Sequence, residues 1–318
     1  MSITWGTLGE DDAEAVARLV ADMDAVDRLG ETPTAGDIRY TLGDPLLDLA
    51  DGTLAARDGE RIVAYGYLPI RQSAAPKHQM RLSGGVHPDF RRRGYGRRIL
   101  DWALDAAPRL HERHYPGRPL ELHVSADDRS AGTIALLQGA GFERMRWFLE
   151  MRADLREPAP RVEPPPGIGI VPWSPDLDEG ARAVRNLAFR DHWGSIEHTA
   201  ESWRHTMTGI RSFRPEASFL ALDGERVVGI LMTMHFAGEA AATGEKAAWI
   251  AIIGTLREWR GRGVAASLLS HALGEFRAQG YTTAGLGVDA DNGTGAVGVY
   301  ERAGFRAVHR GSVFVRKF

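Results

Sequence analysis

The run Arg260-Gly261-Arg262-Gly263-Val264-Ala265 recurs in the first half of the chain as Arg91-Arg92-Arg93-Gly94-Tyr95-Gly96. Each run stands between a strand-like stretch and a stretch with the apolar pattern of a helix. Glycines let the backbone approach a ligand, N–H groups at a helix start bind phosphate, and arginines add positive charge. Both runs therefore predict a phosphate cradle, here called cradle 1 (residues 91–96) and cradle 2 (residues 260–265). Neither matches the Walker or the dinucleotide pattern, because the required residues and glycine spacing are absent.

The two cradles belong to an internal repeat. A chain of 318 residues is long enough for two cores of about 150 residues each. A stretch with five prolines in twelve residues predicts an extended linker at 156–167. The sequence thus predicts an N-terminal domain at 1–155 and a C-terminal domain at 168–318, with strands and helices in the same order and a mixed α/β fold.

Both halves also predict a β-hairpin ahead of the cradle. Asp58-Gly59 separates the strand-like stretches 54–57 and 62–65, and Asp223-Gly224 separates 219–222 and 227–231. Asp-Gly supplies the positive φ angles that a two-residue hairpin loop needs. We expect an Asp-Gly loop in each half.

A second group of residues follows the last predicted strand before the C-terminus. Asn292, Ala296 and Tyr300 recur every four residues and so share one face of a helix that stops at Gly304-Phe305. Asn292 is expected to cap that helix. Tyr300 is predicted to border a ligand, although a half-buried core tyrosine is the alternative.

Cradle 2 together with Asn292, Ala296, Tyr300 and Gly304-Phe305 resembles the GNAT N-acetyltransferase superfamily. The resemblance covers nearly the whole chain as two copies. It implies an α/β fold in which each copy has a mixed sheet of six or seven strands flanked by about four helices. The tandem layout most resembles mycothiol-synthase-type actinobacterial proteins. Those proteins carry His-Pro-Glu-Gln where this chain has 192–195, and an acidic residue where it has Trp249, so a different acceptor is compatible with the sequence.

The resemblance also implies a reaction. An acceptor amine attacks the thioester of acetyl-CoA directly, a backbone N–H of the central strand stabilises the oxyanion, and Tyr300 protonates the departing thiolate. The residues expected to bind the cofactor are Ile253, Gly254, Thr255, Arg260, Gly261, Arg262, Gly263, Val264, Ala265 and Asn292 in the second half, with Val86, Arg91, Arg92, Arg93, Gly94, Tyr95 and Gly96 in the first.

The acceptor side is less sharply defined. Glu31, His192, Trp193 and His235 are candidate substrate residues. Because no glutamate stands on the predicted central strand, an ordered water, His192 or His235 is left to take the acceptor's proton. The acceptor itself is expected to be a small-molecule or peptide amine: an antibiotic, an amino acid or peptide N-terminus, a thiol-sugar precursor or a polyamine.

The two copies differ at the position of the acid. Aligning Gly141-Phe142 with Gly304-Phe305 places Leu137 opposite Tyr300, with Thr133 and Arg129 opposite Ala296 and Asn292. The first copy is therefore predicted to be non-catalytic and either to hold acetyl-CoA as a structural ligand or to wall the acceptor cleft. The segment 111–117 accounts for most of its extra length and predicts a longer surface loop.

Composition narrows the remaining classes. The chain has no cysteine and no close pairing of its eleven histidines with carboxylates, so we expect no metal. A net charge of −3 does not suggest a nucleic-acid partner, and no apolar run suggests a membrane span or export signal, so a cytoplasmic enzyme is expected. A non-catalytic acyl-CoA sensor or scaffold, and an RNA- or peptide-binding protein using the arginines of residues 91–98, are the competing classes. Oligomeric state is not readable from the sequence.

Overall fold

The structure, a computed structural model, describes residues 3–29, 33–71, 73–74, 76–236, 244–291 and 295–318. It divides into two compact units. Unit 1 comprises residues 1–147 and 311–318, and unit 2 comprises residues 148–310.

Unit 1 is a six-stranded mixed sheet with helices on both faces. Its strands run in the order β1-β2-β3-β4-β5-β12, and only β4 and β5 are parallel. Tyr65 on β3 packs with residues of α1 and α2, while the adjacent Ala64 packs with Ile99 of α3. Because neighbouring residues of a strand point to opposite faces, these helices cover opposite sides of the sheet. The elements are β1 (Ile3–Gly6), α1 (Ala13–Asp27), α2 (Ala35–Leu42), β2 (Thr53–Asp58), β3 (Arg61–Tyr67), β4 (His78–Val86), α3 (Tyr95–His114), β5 (Leu120–Asp127), α4 (Ala131–Gly139) and the end of β12 (Arg306–Lys317).

Unit 2 repeats this plan. Its sheet order is β6-β11-β10-β9-β8-β7, and β10 and β11 form the parallel pair. The largest buried cluster lies here and includes Trp203, Phe276 and Phe305. The elements are the end of β6 (Glu143–Asp154), β7 (Ile168–Pro172), α5 (Asp178–Ala188), α6 (Ala200–Trp203), β8 (Phe219–Asp223), β9 (Arg226–Met234), β10 (Ala247–Thr255), α7 (Val264–Ala278), β11 (Thr283–Asp289) and α8 (Ala296–Arg302).

Each sheet is completed by the last strand of the other sequence copy. Residues 148–154 of β6, which end the first copy, pair antiparallel with β11 of unit 2. Residues 311–317 of β12, which end the second copy, pair antiparallel with β5 of unit 1. The compact units are therefore discontinuous in sequence. The predicted boundaries 1–155, 156–167 and 168–318 describe the sequence copies and stay a prediction.

The two hairpins form with a small shift of the loop. Asp58 pairs with Arg61, and Asp223 pairs with Arg226, so each aspartate is the last strand residue and the loop is Gly-Glu rather than Asp-Gly. The glycines, at φ +61° and +59°, occupy the first loop position. Glycine at that position suits a type II′ turn, which explains why the loop starts one residue later than predicted.

The surface loop predicted for the segment 111–117 is wrong for residues 111–114, which are helical, and only residues 115–117 form a turn. Helix α3 continues to His114, and His111 is buried within the unit. Ala107, Leu110 and His111 continue the buried face of α3 toward this last turn, so helix formation and burial extend together. The extra residues lengthen the helix.

Candidate active site

The two cradles have the same backbone hydrogen bonds. In each, a one-turn 3-10 helix leads from the strand into the turn, and the first arginine N–H bonds back to the start of that helix. The carbonyl oxygen of Gly94 or Gly263 then accepts the first hydrogen bond of the long helix, from the N–H four residues further on. The bonds to the 3-10 helix are Arg91 N to Pro88 O and Arg260 N to Arg257 O, both 3.2 Å long. The first bonds of the long helices are Arg98 N to Gly94 O at 3.0 Å and Ser267 N to Gly263 O at 2.9 Å. The turns predicted from the repeated sequence are thus equivalent structures.

Gly94 and Gly263 leave the front of each helix open. Their φ angles are +88° and +90°, and a Cβ added at either would have no atom within 4 Å. The first N–H groups of an α-helix have no partner within the helix and carry its positive dipole end. Open space beside such groups is suited to a phosphate. One difference is local: the preceding left-handed position is Gly261 in unit 2 but Arg92, at φ +63°, in unit 1.

The first arginine of each cradle is used inside the fold. Arg91 donates two hydrogen bonds to the Asp27 carboxylate, at 2.8 and 2.6 Å. Arg260 donates to the Ala188 carbonyl oxygen at 2.8 Å. Since Asp27 and Ala188 end the first helix of their units, both arginines fasten that helix to the cradle.

The third residue of each cradle is held over an aromatic ring. The Arg93 guanidinium lies 5.1 Å from the Phe90 ring centroid, and the Arg262 guanidinium lies 4.9 Å from that of Trp259. A cation held on an aromatic face keeps its charge while losing freedom of movement. Arg93 and Arg262 are therefore pre-positioned charges at the two cradles.

In unit 2 the central parallel strands separate before the cradle. Strands β10 and β11 pair only from Ala247 with Thr283 to Ile250 with Leu286. Over the rest of their described lengths, β10 pairs with β9 and β11 pairs with β6. A β-bulge leaves Ala251 without a partner on β9, at the point of separation. The opening between residues 251–255 and 287–289, here called cleft 2, has Ile253, Gly254 and Thr255 on its β10 side.

Unit 1 has the corresponding opening. Strands β4 and β5 pair from His78 with Leu120 to Leu82 with Val124, and the next residues of β4, up to Val86, pair with β3. Strand β4 pairs with β3 along residues 83–86, after its pairing with β5 has ended. Strand β10 instead pairs with β9 both before and after its bulge. The backbone frame of the site, meaning the cradle and the splayed strand pair, is therefore present in both units. The two frames differ in how the central strand, β4 or β10, pairs with its antiparallel neighbour.

Tyr300 and Leu137 occupy the same structural position. Phe305 N donates to Tyr300 O at 3.0 Å, and Phe142 N donates to Leu137 O at 3.0 Å, each across a glycine of positive φ. Both side chains are buried. Helix α8 (Ala296–Arg302) is the next described helix after β11 (Thr283–Asp289), the strand that borders cleft 2.

Burial governs the acidity of Tyr300. Its side chain lies in the core of unit 2, with its ring centroid 6.1 Å from that of Phe305. Burial disfavours the phenolate and raises the pKa of Tyr300 to about 12. The phenol therefore keeps its proton throughout the physiological pH range.

The predicted role of Asn292 as a helix cap is wrong. Helix α8 begins at Ala296, and Gly295, at φ +70°, stands at the N-cap position. Within α8, Ala296 and Tyr300 lie four residues apart and share one face. Asn292 and Glu31 lie outside the described residues.

On the acceptor side, the segment after α5 links His192 to β10 through the ring of Phe189. The His192 ring centroid lies 4.7 Å from that of Phe189. The Phe189 ring in turn lies over Gly254, where an added Cβ would come within 2.7 Å of its Cε2 atom. Burial, followed by the nearby charge of Arg260, lowers the pKa of His192, so the ring is neutral at pH 7. Trp193 follows on the same segment and is partly buried.

His235 lies elsewhere. Its Nδ1 is 2.8 Å from the carbonyl oxygen of Ala247, the first residue of β10, and its ring packs edge-on against Tyr281. Cradle 2 follows the opposite end of β10. The structure therefore places His192, but not His235, beside the carboxyl half of the strand.

Sequence reasoning missed the residues that fasten the His192 segment. Asn186 Nδ2 donates to the His198 carbonyl oxygen at 2.9 Å, and its Oδ1 accepts from His198 N at 2.9 Å. Arg185 donates to the Ile196 carbonyl oxygen, and burial lowers the pKa of Arg185 to about 10. The sequence signal for these contacts was the adjacent polar pair Arg185-Asn186 beside the apolar face of α5.

The described ranges contain neither a group of metal ligands nor a helix able to span a membrane. No three histidine, aspartate or glutamate side chains there come together as a metal site could. None of the helices described combines the length and apolar character needed to cross a bilayer.

A cradle, a splayed parallel strand pair and a following short helix occur twice, which defines a tandem α/β fold with one such site frame in each unit. The model of the acetyltransferase (GNAT) family matches residues 21–142 and 182–305. The chain belongs to the GNAT acetyltransferase family.

Relatives match nearly the full length. The mycothiol acetyltransferase of Geodermatophilus obscurus is 31% identical, covering 92% of this chain and 96% of that protein. The mycothiol acetyltransferase of Thermobispora bispora is 31% identical over 92% and 90%. Among solved structures, a GCN5-related N-acetyltransferase from Sphaerobacter thermophilus matches with a TM-score of 0.77 and 26% identity, covering 99% of this chain and 95% of that one. A tandem GNAT protein from the clavulanic acid biosynthesis pathway, at 21% identity and a TM-score of 0.74, shares the fold.

Proposed function

We propose that the protein is an N-acetyltransferase that moves the acetyl group of acetyl-CoA directly to the amine of a small molecule or peptide, with catalysis in unit 2. The observation that carries this proposal is the combination of cleft 2, cradle 2 and Tyr300 in one unit. The fold and family support the reaction class, and the residues of unit 2 support its location.

The residues of unit 2 fit acetyl-CoA at several points. Gly263 leaves open space at a helix start, which suits the pyrophosphate. Arg262, held on Trp259, supplies a positive charge nearby. Strand β10 offers backbone groups on its cleft side from residue 251 onward, which suit the amide groups of a pantetheine arm and the carbonyl oxygen of the thioester. When bound, acetyl-CoA supplies the activated acetyl group.

Tyr300 serves as the general acid in this proposal. It holds its proton until a thiolate develops, then donates to the sulfur as the C–S bond breaks. With a pKa of about 12 against about 8.5 for an ordinary thiol, complete transfer in isolation would cost about 5 kcal/mol. Donation therefore has to coincide with release of a proton from the attacking nitrogen. Unit 1, with Leu137, has no such donor at this position.

The proposal is tested by measuring thiol release from acetyl-CoA across a panel of amines: aminoglycosides, amino acids, peptide N-termini, polyamines and a cysteinyl thiol-sugar. Turnover with any of them separates an enzyme from an acyl-CoA sensor and identifies the acceptor class. Saturating acetyl-CoA should also raise the melting temperature by mass action. Binding without turnover on any amine would favour the sensor.

A second candidate is acetylation of the mycothiol precursor itself. The near-full-length identity to proteins named mycothiol acetyltransferase favours it. The cysteinyl thiol-sugar in the panel addresses it directly, since a preference of that amine over the others by kcat/KM would support this candidate.

A further inference from the structure

Cleft 2 needs a group that accepts the acceptor's proton, and the central strand provides none. Strand β10 consists of Ala247–Thr255, which contains no carboxylate, histidine or lysine. The only titratable residue on β11 is Asp289, at its carboxyl end, where one carboxylate oxygen accepts from Asp291 N at 2.9 Å. A base has to come from an element packed against the strands.

The segment after α5 is that element. Arg260 joins the end of α5 to the end of β10, since it donates to both Ala188 O and Thr255 O. Phe189 then covers Gly254, and His192 packs on Phe189. His192 is fixed by its backbone as well, because its N–H donates to Phe189 O at 3.0 Å and its carbonyl oxygen accepts from Ser195 N at 3.1 Å.

The imidazole itself remains available. In the described ranges, neither ring nitrogen of His192 has a hydrogen-bond partner within the protein, and the side chain is half-buried. The imidazole is tilted by 51° to the Phe189 ring, and its nitrogens lie on the ring edge. Such a ring can accept a proton from a ligand beside Gly254.

We propose that His192 is the general base of the acetyl transfer and that it receives the proton of the acceptor ammonium beside Gly254. This inference rests on the proposed function, since it assigns a role within the same site. It selects His192 over His235, because His235 lies at the amino end of β10 and is already bonded to Ala247 O.

The proton balance is complete without another reactant. The acceptor ammonium loses one proton to a His192 ring nitrogen, and the freed lone pair forms the C–N bond at the acetyl carbon. The C–S bond breaks and its electron pair goes to sulfur, which takes the Tyr300 proton. The nitrogen, now becoming an amide, loses its second proton and restores Tyr300. His192 later returns its proton to solvent.

The charges around His192 suit a base that is neutral at pH 7. Arg260 and Arg185 disfavour a positive charge on the ring, while Asp289 and Asp191 favour it. Burial adds to the arginines, and the net effect is a lowered pKa. A neutral imidazole is ready to accept, and the two aspartates stabilise the cation that forms.

The experiment uses the full chain, acetyl-CoA and whichever amine of the panel turns over, with initial thiol release followed from pH 6 to pH 9.5. His192→Gln should lower kcat/KM at pH 7 by roughly 10², the usual range for a general base. Its remaining activity should rise in proportion to the free amine and approach the wild-type rate above the amine's own pKa. His271→Gln, the same change on a histidine of α7 that packs against Phe219, is the matched control and should keep the wild-type profile.

A second readout separates chemistry from structure. Added imidazole should restore part of the activity of His192→Ala, and more so as the pH rises and the added base becomes neutral, which a merely structural role would not produce. An unchanged profile in His192→Gln would overturn the inference, as would a loss confined to His235→Gln or Asp289→Asn. Wild-type protein that releases no thiol with any amine would instead remove the proposed function, so the two failures are distinguishable.

Discussion

Helices α4 and α8 end in the same way, yet they carry different side chains at the decisive position. Leu137 and Tyr300 both accept a hydrogen bond from the phenylalanine that follows the terminal glycine, and both are buried. The backbone frame of the site is thus preserved in both units, whereas the phenol is present in one. The backbone frame and the reactive phenol are therefore separable, since unit 1 keeps the frame without the phenol.

The corresponding central strands β4 and β10 also differ in the residue at their start. Strand β4 begins with His78 and β10 begins with Ala247. His78 lies buried against His111, with their Nδ1 atoms 2.9 Å apart. His111 Nε2 donates to the Arg118 carbonyl oxygen at 2.8 Å, so a neutral His111 must accept at Nδ1 and His78 must donate there. Burial, followed by the neighbouring His111, lowers the pKa of His78, so unit 1 is sensitive to acid at a position where unit 2 has Ala247.

The cradles offer the largest test of the comparison. Gly263→Val should abolish acetyl transfer, with kcat/KM falling by roughly 10³ or more, because a branched side chain fills the open space that the pyrophosphate needs. The measurement is thiol release per folded molecule, with folding checked by circular dichroism.

Gly94→Val is the matched control for that change. The two glycines have φ angles of +88° and +90°, and an added Cβ meets nothing within 4 Å at either, so the backbone strain of valine is the same. We expect kcat to stay within roughly tenfold, while the melting temperature or the acceptor KM shifts. If Gly94→Val stops turnover and Gly263→Val does not, catalysis belongs to unit 1.

The next effect concerns the acid itself. Tyr300→Phe should lower kcat by roughly 10² and leave the Kd for acetyl-CoA nearly unchanged, because the phenol acts on the departing sulfur rather than on the bound nucleotide. Tyr281→Phe removes another buried phenol of unit 2, at the amino end of β11, and serves as the control. Full activity of Tyr300→Phe at every pH would leave solvent as the proton donor.

Much of this frame was predictable because it is local. The positive φ of Gly263 and the helix that follows it need only nearby residues, so the repeated glycine-arginine run predicts them. The equivalence of Leu137 and Tyr300 follows from the same logic, since each helix stops at its own Gly-Phe.

The exchanged last strands could not be predicted in this way. Strands β6 and β12 end equivalent copies, and either could pair with the equivalent neighbour, β5 or β11, so only tertiary packing decides between them. His192 was among the candidates, but its selection needs the ring of Phe189 over Gly254, a contact between residues 65 positions apart.

Acid should weaken unit 1 through His78. Its pKa is lowered from 6.5 to about 4, chiefly by burial, so the unfolded chain takes up a proton at a higher pH than the folded one. The contribution of His78 to the free energy of unfolding is therefore fully present above pH 6.5. It is lost as the pH falls toward 4, at up to about 1.4 kcal/mol per pH unit. Calorimetry should show a lower Tm at pH 5 than at pH 7.

The matched variant removes both rings. A His78→Leu, His111→Leu double variant should lose most of this pH dependence, since it removes both imidazoles of the buried pair together. An undiminished drop in Tm between pH 7 and pH 5 in the double variant would place the acid sensitivity in other groups.

The smallest expected effect compares the two arginines held on aromatic rings. Arg262→Met should raise the KM for acetyl-CoA about fivefold with kcat unchanged, because one pre-positioned charge near the phosphates contributes about 1 kcal/mol. The effect should shrink as salt is added, since ions screen an exposed charge. Arg93→Met removes the equivalent charge from cradle 1, and it should leave the KM for acetyl-CoA unchanged if only unit 2 turns over. Equal increases from the two variants would mean that both cradles contribute to the measured reaction, and the separation of frame and reactive group between the units would no longer hold.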